Sequence, residues 1–316
     1  MKKLRVAIQM DPLERLHQST DSTLYLARAA LARGYELFHY VPGVLHMEVG
    51  RRVTITARGN ELKFRNGKWT LDKQSVENLA DFDVILMRQD PPFDLAYITA
   101  THILEHLRDR VKIVNDPVAV RNAPEKLLVT HFPQLMPPTL VTRDIAAIEK
   151  FRAKHGAIVF KPLYGWAGYG IFQLKADDPN LHALLETMGG ISPEPWMIQK
   201  YLPEIKTVGD KRIILLDGEP VGVYRRIPAK GDTRGNMRVG AKAERAPLTK
   251  RDREICKTLA PILSTSGLMM AGIDVIGDYL TEINVTSPTG LPSADRFNGR
   301  TFKNGIAKMF WDLLLK

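Results

Sequence analysis

The chain has 316 residues, enough for two or three domains with cores of their own, and its 44% hydrophobic and 25% charged content is that of an ordinary soluble globular protein. No apolar run approaches the roughly 20 residues that span a bilayer, and the opening MKKLRVAIQMDP reads as a strand rather than a signal peptide, so no membrane role is expected. The net charge of +10 is spread along the chain without a basic tail or RNA-binding signature, and a site for several anions explains part of it as well as nucleic acid does.

The first segment alternates strand and helix. A strand is expected at 4–10, a helix capped by Asp21-Ser22 and closed by Gly34, and a second strand at 36–41. This β-α-β opening predicts an open, doubly wound parallel sheet, and hence an α/β class. Alternations around Arg58-Gly59-Asn60 and Asn66-Gly67 read as inserted hairpins. A buried strand at 84–87 runs into Arg88-Gln89-Asp90-Pro91-Pro92-Phe93-Asp94. Ligands of such sheets bind beyond the carboxyl ends of strands, so this turn and Asp11 belong to the rim of a pocket. Arg88 is a candidate substrate contact, whereas Asp94 reads as the cap of a helix at 95–107. After a strand at 111–114, short helices begin at Asn115-Asp116-Pro117 and at Ala123-Pro124-Glu125-Lys126. A domain boundary is expected near 122.

The second half changes to α+β character. Strands at 139–141, 157–161 and 171–174 flank a helix capped by Arg143-Asp144, and KPLYGWAGYG joins two antiparallel strands. Neither GxxxxGK[ST] nor GxGxxG occurs, so a different phosphate-binding device is implied, with Gly165, Gly168 and Gly170 freeing backbone amides to close over phosphates. A strand at 196–199 leaves at Lys200-Tyr201-Leu202-Pro203. Strands at 206–216 and 221–226 pair around Asp217-Gly218-Glu219, and the aperiodic loop at 228–243 has the length of a functional lid. Thr249 caps a helix carrying Cys256 on its apolar side. As the only cysteine it rules out an intrachain disulfide and suits a reducing cytoplasm. A closing amphipathic helix is expected at 302–315.

Between these last elements lies GIDVIGDYLTEINVTSPTG. Alternation puts Ile273, Val275, Ile283 and Val285 on one face and Asp274, Glu282 and Asn284 on the other. A three-residue turn at 277–279 would set Asp274 opposite Glu282 and Ile273 opposite Ile283, with Gly277 or Asp278 left-handed. Three oxygen-bearing side chains so placed suit a hard cation, Mg²⁺ above all, although a surface hairpin would show the same alternation.

Taken together, Lys126, Lys161, the glycine-rich hairpin, Gln199 to Leu202, Arg212, and Asp274 with Glu282-x-Asn284 resemble the ATP-grasp ligases. The strings MDP, ILMRQDPPFD, NDP, EKL, TLVTRD, KPL, GDKRIILLDGEP, RIP with TRGN, and GIDVIGDYLTEINVTSPT resemble bacterial glutathione synthetases along nearly the whole chain. The resemblance implies an N-terminal domain at 1–122 and an ATP-grasp domain at 123–316, whose lid part (123–200) and catalytic part (201–316) carry two antiparallel sheets enclosing ATP. It implies Lys126, Lys161, Gly165 and Gly168 on the phosphates, and Gln199, Lys200, Tyr201 and Leu202 at the adenine. Asp274, Glu282 and Asn284 would hold Mg²⁺, with Mn²⁺ an alternative. Arg212, Arg234 and Arg226 would stabilise charge on the transferred phosphoryl group. Arg88, Ser287 and Thr289 would contact substrate.

The implied reaction joins γ-glutamylcysteine to glycine through an acylphosphate, in a cytoplasmic tetramer that binds neither nucleic acid nor membrane. The chain departs from the family pattern in three places: the flap is crowded by Tyr164, Trp166 and Tyr169, the lid reads Gly240-Ala241 where the family pairs glycines, and Leu291 to Asn298 follows SPTG. These keep open a ligase for another acid or amine. A nucleotide- or nucleic-acid-binding protein without turnover is the third reading.

Overall fold

A computed structural model describes residues 3–232 and 234–315; Thr233, within the loop expected as a lid, lies outside the described residues. The β-α-β opening forms as the pattern predicts. β1 (Arg5–Gln9) and β2 (Glu36–Tyr40) are parallel, and the Asp21 carboxylate caps the intervening α1 (Ser22–Ala32) by accepting the Leu24 N–H at 2.8 Å. Three antiparallel strands then extend one edge: β3 (Leu45–Val49), β4 (Val53–Arg65) and β5 (Lys68–Asn78). Parallel order resumes with β6 (Val84–Met87) and β7 (Lys112–Val114), giving β3-β4-β2-β1-β6-β7 with β5 on β4.

The turn at Asn66-Gly67 is present, both residues left-handed at φ 50° and 79°, but no hairpin turns at Arg58-Gly59-Asn60. β4 runs straight through that stretch. Gly59 is there for close approach: a Cβ would stand 2.2 Å from the His39 carbonyl oxygen and 2.6 Å from the Phe38 ring. α2 (Leu95–Glu105) starts at Asp94, whose carboxylate accepts the Tyr97 N–H, so the capping reading of Asp94 holds. α3 (Pro117–Arg121) and α4 (Glu125–Leu128) lead into the second half.

There a four-stranded antiparallel sheet is ordered β10-β9-β11-β8, from β8 (Thr139–Thr142), β9 (Ile158–Pro162), β10 (Phe172–Leu174) and β11 (Trp196–Lys200). α5 (Ile145–His155) and α6 (Leu181–Ile191) cover it. The sequence reading assigned nothing to 175–195, where Gly189-Gly190 near the end of α6 weakens the helical signal. Ile148, Phe160, Leu185, Trp196 and Ile198 form a core of their own beneath these helices.

A five-stranded antiparallel sheet, β14-β13-β12-β15-β16, completes the frame. Its strands are β12 (Asp210–Leu216), β13 (Glu219–Ile227), β14 (Lys242–Glu244), β15 (Met270–Ile276) and β16 (Tyr279–Asn284). The expected strand start at 206 is four residues early, because Pro203–Lys206 is a 3-10 turn. α7 (Lys250–Thr265) opens on a capping box between Thr249 and Asp252. The hairpin of β15 and β16 has the expected pairing, Asp274 opposite Glu282 and Ile273 opposite Ile283. Its turn differs. Ile276 faces Tyr279 across a two-residue Gly277-Asp278 turn with Gly277 at φ 58°, and a bulge between Asp274 and Val275 absorbs Thr281. The bulge lets Leu280, Ile283 and Val285 all reach the core while Glu282 stays on the carboxylate side.

α8 (Leu291–Phe297) and α9 (Ile306–Leu314) are the last elements, the latter starting four residues later than the expected helix, after its N-cap Gly305. α9 returns to the first sheet: the Trp311 indole donates to the Leu26 carbonyl at 2.9 Å, and Phe310, Trp311 and Leu314 share a core with Leu24, Leu26 and Ala30. Among the described residues no helix is long and apolar enough to cross a membrane.

Candidate active site

The alternation of the five-stranded sheet puts Asp210 and Arg212, Tyr224 and Arg226, Gly272 and Asp274, and Glu282 and Asn284 on one face, strand after strand. Register brings opposite charges together. Arg212 faces Asp274 and grips it by two bonds, Nε to Oδ1 at 2.5 Å and Nη2 to Oδ2 at 3.0 Å. Arg226 faces Asp210, donates to its Oδ2, and lies 3.0 Å from Asp274 Oδ2. Gly272 makes room for this array, since a Cβ there would stand 3.3 Å from the Arg212 guanidinium.

The two carboxylates share cations unequally. Burial alone would raise Asp274, but Arg212 and Arg226 outweigh it and hold the carboxyl down at about 2. Asp210 has Arg226 as its main counter-charge and stands in the field of Asp274, so burial prevails and pushes it up to about 6. Each arginine is thereby fixed by a carboxylate with its guanidinium at the cleft.

Across the cleft, α4 and β9 supply Lys126 and Lys161, both buried. Lys126 Nζ donates to the Gly165 carbonyl at 2.5 Å and lies 3.8 Å from Glu282 Oε1. Burial pushes Lys161 below the usual ammonium value, with Glu282 pulling it back. The loop at 163–171 and the loop at 228–241 meet over the opening. Gly168, at φ 84°, lies so close to Asn236 that a Cβ would come within 2.7 Å of its Oδ1. Arg234 reaches the Gly168 carbonyl at 3.4 Å while gripping Asp232 at 2.7 Å. Trp166 and Tyr169 line the cleft from above, and Tyr164 stacks on Phe93 of the first domain at 6.3 Å.

Two adjoining cavities hold nearly all the residues singled out in the sequence. One, of about 150 Å³, is lined by Lys126, Gly165, Gly168, Arg212, Arg226, Glu282, Asn284, Ser287 and Thr289. The other, of about 80 Å³, is lined by Lys161, Gln199, Lys200, Tyr201, Leu202, Arg234 and Asp274, with Glu282 common to both. The Gln199 side chain is turned to Thr139 Oγ1 at 3.0 Å, and the Lys200 and Tyr201 amides donate to Pro138 and Ala157. Arg88 lines neither cavity. Its guanidinium is buried behind the second half of the hairpin segment, donating to Thr23 Oγ1 at 3.1 Å and the Pro288 carbonyl at 2.9 Å, while its own carbonyl accepts from Ser287.

Asp90 lines the cleft from the turn expected at the pocket rim, whereas Asp210, Glu125 and Asn236 were not singled out in the sequence. The signal for Asp210 was present, two residues before Arg212 on the same strand face; Glu125 and Asn236 lie on a short helix and a loop, where no periodicity marks a face. For a cation, the donor set is two carboxylates and an amide. Asn284 spends its Nδ2 on the Gly272 carbonyl at 3.0 Å and on Asp274 at 3.3 Å, which leaves Oδ1 as donor. Among the described residues no three His, Cys, Asp or Glu gather as a closed metal cage. An open set of hard oxygens fits a divalent ion that completes its shell with phosphate oxygens and water.

Residues 4–121 match the family model described as "Prokaryotic glutathione synthetase, N-terminal domain", and residues 125–299 match "Prokaryotic glutathione synthetase, ATP-grasp domain". The glutathione synthetase of Brucella melitensis is 48% identical over 312 residues, covering 98% of this chain and 97% of its own. That of Mesorhizobium japonicum is 48% identical over 313 residues, with the same shares. Among solved structures, the D-cycloserine synthetase DcsG superposes with a TM-score of 0.65 at 15% identity, covering 98% of both chains. The ATP-grasp ligase PsnB complexed with minimal precursor gives 0.61 at 18%, covering 100% of this chain and 99% of its own. Those two likenesses speak for the fold. The identity over nearly the full length speaks for more: the chain belongs to the prokaryotic glutathione synthetase family and is an ATP-dependent carbon–nitrogen ligase with the ATP-grasp fold.

Proposed function

We propose that this enzyme joins γ-glutamylcysteine to glycine at the expense of ATP, giving glutathione, ADP and phosphate. The observation that carries the reading is the pair of buried arginines, Arg212 and Arg226, each fixed by a carboxylate and facing Lys126 across one cleft. The dipeptide's terminal carboxylate attacks the γ-phosphorus, the bond to ADP breaks, and an acylphosphate forms. Glycine's amine then attacks the acyl carbon, phosphate leaves, and the amine sheds its proton. A carboxylate repels nucleophiles until phosphorylation supplies the leaving group. The two arginines and two lysines are already in place for the charge that develops, so little reorganisation accompanies the step.

Asp274, Glu282 and Asn284 would hold Mg²⁺, with Mn²⁺ an acceptable substitute, and the ion would neutralise phosphate charge. The Lys200 carbonyl and the Leu202 amide remain to read adenine beside Gln199. Gly165 and Gly168 lend the flap its close approach to phosphates, and the loop at 228–241 with Arg234 acts as the lid that excludes water from the acylphosphate. Ser287 and Thr289 face the dipeptide, and Arg88 acts through the segment it holds. The divisions at 122 and 200 are part of this reading, and the core of Ile148, Phe160 and Trp196 under the four-stranded sheet supports a lid part between them. Cytoplasmic placement and a tetramer rest on family membership, as does the absence of nucleic acid or membrane from its partners.

The test follows phosphate and product from protein with ATP, Mg²⁺ and γ-glutamylcysteine, with and without glycine. Product formation and phosphate release that require both substrates support the reading. Release without either substrate, or none under any condition, would leave a nucleotide-binding protein and sink it. Trp166 and Tyr169 at the cleft favour a second reading, an acceptor other than glycine, which a panel of amines with larger side chains decides.

A further inference from the structure

Across the face of the five-stranded sheet that lines the cleft run Glu282 on β16, Asp274 on β15, Arg212 on β12 and Tyr224 on β13. Tyr224 is the one uncharged side chain in that row. Its ring belongs to the core shared with α1 and α9 and tilts against Phe297 at 6.4 Å, which leaves 3% of the residue exposed where it lines the cleft. The hydroxyl is held in place. Gly290 packs on it so closely that a Cβ there would stand 2.1 Å from the oxygen, while Arg212, its cross-strand partner, and Arg226, two residues along the same face, flank it. Arg212 spends Nε and Nη2 on Asp274 and turns Nη1 to the carbonyl of Thr289, the residue before Gly290, at 3.4 Å. Among the described residues the Tyr224 hydroxyl has no hydrogen-bond partner. A hydroxyl kept without a partner in a nearly closed wall costs stability that a phenyl ring in its place would not. A donor hydroxyl beside a guanidinium N–H is the chemistry that receives a carboxylate.

We propose that Tyr224 is a specificity-determining contact for the acceptor, its hydroxyl donating to the carboxylate of the incoming glycine alongside Nη1 of Arg212. This rests on the ligase reading above and names what the acceptor end of that site recognises. Strand order argues for the acceptor. In that reading Asp274 and Glu282 lie under the phosphates, Arg212 meets the phosphoryl group being transferred, and Tyr224 lies one strand further from the nucleotide, about 4.8 Å. The acyl carbon and the attacking amine come next in line there, and glycine carries its carboxylate one carbon from its nitrogen. The carboxylate that the dipeptide keeps, on its γ-glutamyl part, stands at the opposite end of that substrate from the reacting bond. An amine without a carboxylate would leave the hydroxyl and Nη1 of Arg212 unmatched, so the pair selects an amino acid over a simple amine.

The experiment measures kcat and KM for glycine and for glycinamide, which lacks the carboxylate, with ATP and γ-glutamylcysteine, in the wild type and in Tyr224→Phe. Thermal melting accompanies it. Because no bond within the fold is lost, the melting temperature of Tyr224→Phe should be no lower than that of the wild type, which a purely structural hydroxyl would not allow. The KM for glycine should rise on the order of 10-fold while those for ATP and γ-glutamylcysteine stay as they are. The preference for glycine over glycinamide should shrink by a similar factor, since an uncharged amide takes less from the hydroxyl than a carboxylate does. An unchanged KM for glycine overturns the proposal. So does an equal loss with both amines, which would put the hydroxyl on the transferred group, and so does a rise confined to the KM for γ-glutamylcysteine, which would give it to the dipeptide. Should glycinamide turn over too slowly to follow, the KM for glycine set against the other two decides alone. A wild type inactive on γ-glutamylcysteine and glycine would instead overturn the ligase reading itself.

Discussion

Asp274 and Glu282 are cross-strand partners on one face, yet they carry different burdens. Asp274 is buried and bonded to Arg212 and Arg226; Glu282 is part-exposed, with Lys126 as its nearest cation at 3.8 Å. Removing the Asp274 charge leaves the buried Arg212 without its carboxylate and Arg226 with Asp210 alone. Asp274→Asn should therefore abolish turnover and also cost about 3 kcal/mol of stability, measured by urea unfolding. Glu282→Gln should lower metal-dependent kcat roughly 100-fold or more while stability stays within about 1 kcal/mol. Equal loss of stability in both would show that the two carboxylates are structural equals. Unchanged activity in both would remove them from the cation site.

At the scale of elements, legibility tracked periodicity. The hairpin pairing of Asp274 with Glu282 was readable because only one register sorts Ile273 and Ile283 from the carboxylates, but the bulge at Thr281 was not, since an extra residue in a strand leaves the same net register as a longer turn. Arg58-Gly59-Asn60 looked like a turn because glycine's use in close packing against His39 cannot be told from its use in turning. Arg88 looked like a ligand because a cation after a strand marks a pocket rim; its burial against Pro288 depends on a contact 200 residues away.

Gly168 pairs a left-handed backbone with contact to Asn236, so Gly168→Ala should misplace flap against lid and reduce kcat about 10-fold or more, with the melting temperature little changed. An unaltered kcat would detach that contact from closure. On α7, burial raises the Cys256 thiol to about 12. The neutral form is favoured in the fold, so the contribution to stability is complete below the unfolded value and declines as pH rises through about 12. At pH 8 a disulfide reagent should label Cys256 only at the rate of unfolding, and rapid labelling in the absence of urea would contradict its buried placement.

Over the whole molecule, the chain does not fold as beads on a string. Val6, Leu24 and Leu86 of the first domain share one core with Ile214, Met270 and Trp311 of the last, and a second core joins Ile85 and Met87 to Ile273 and Ile283. The four-stranded sheet has a further core of its own, Ile148, Phe160 and Trp196, and touches the second shared core through Met197 of β11 and Leu163. Two bodies result, one large and doubly stitched, one small, with the cleft between them. Trp311 fixes α9 onto α1 through its indole bond to Leu26, so Trp311→Ala should cost about 3–5 kcal/mol and melt the first sheet together with the five-stranded one. Native-state hydrogen exchange separates the two bodies directly. Amides of β9 and β11 should open at lower free energy than those of β1, β6, β12 and β15, and Trp311→Ala should lower protection in the latter group while leaving β9 and β11 unchanged until their values meet. A uniform fall across all three sheets would show a single cooperative body, and closing of the four-stranded sheet over bound nucleotide would then require bending within a core rather than movement between cores.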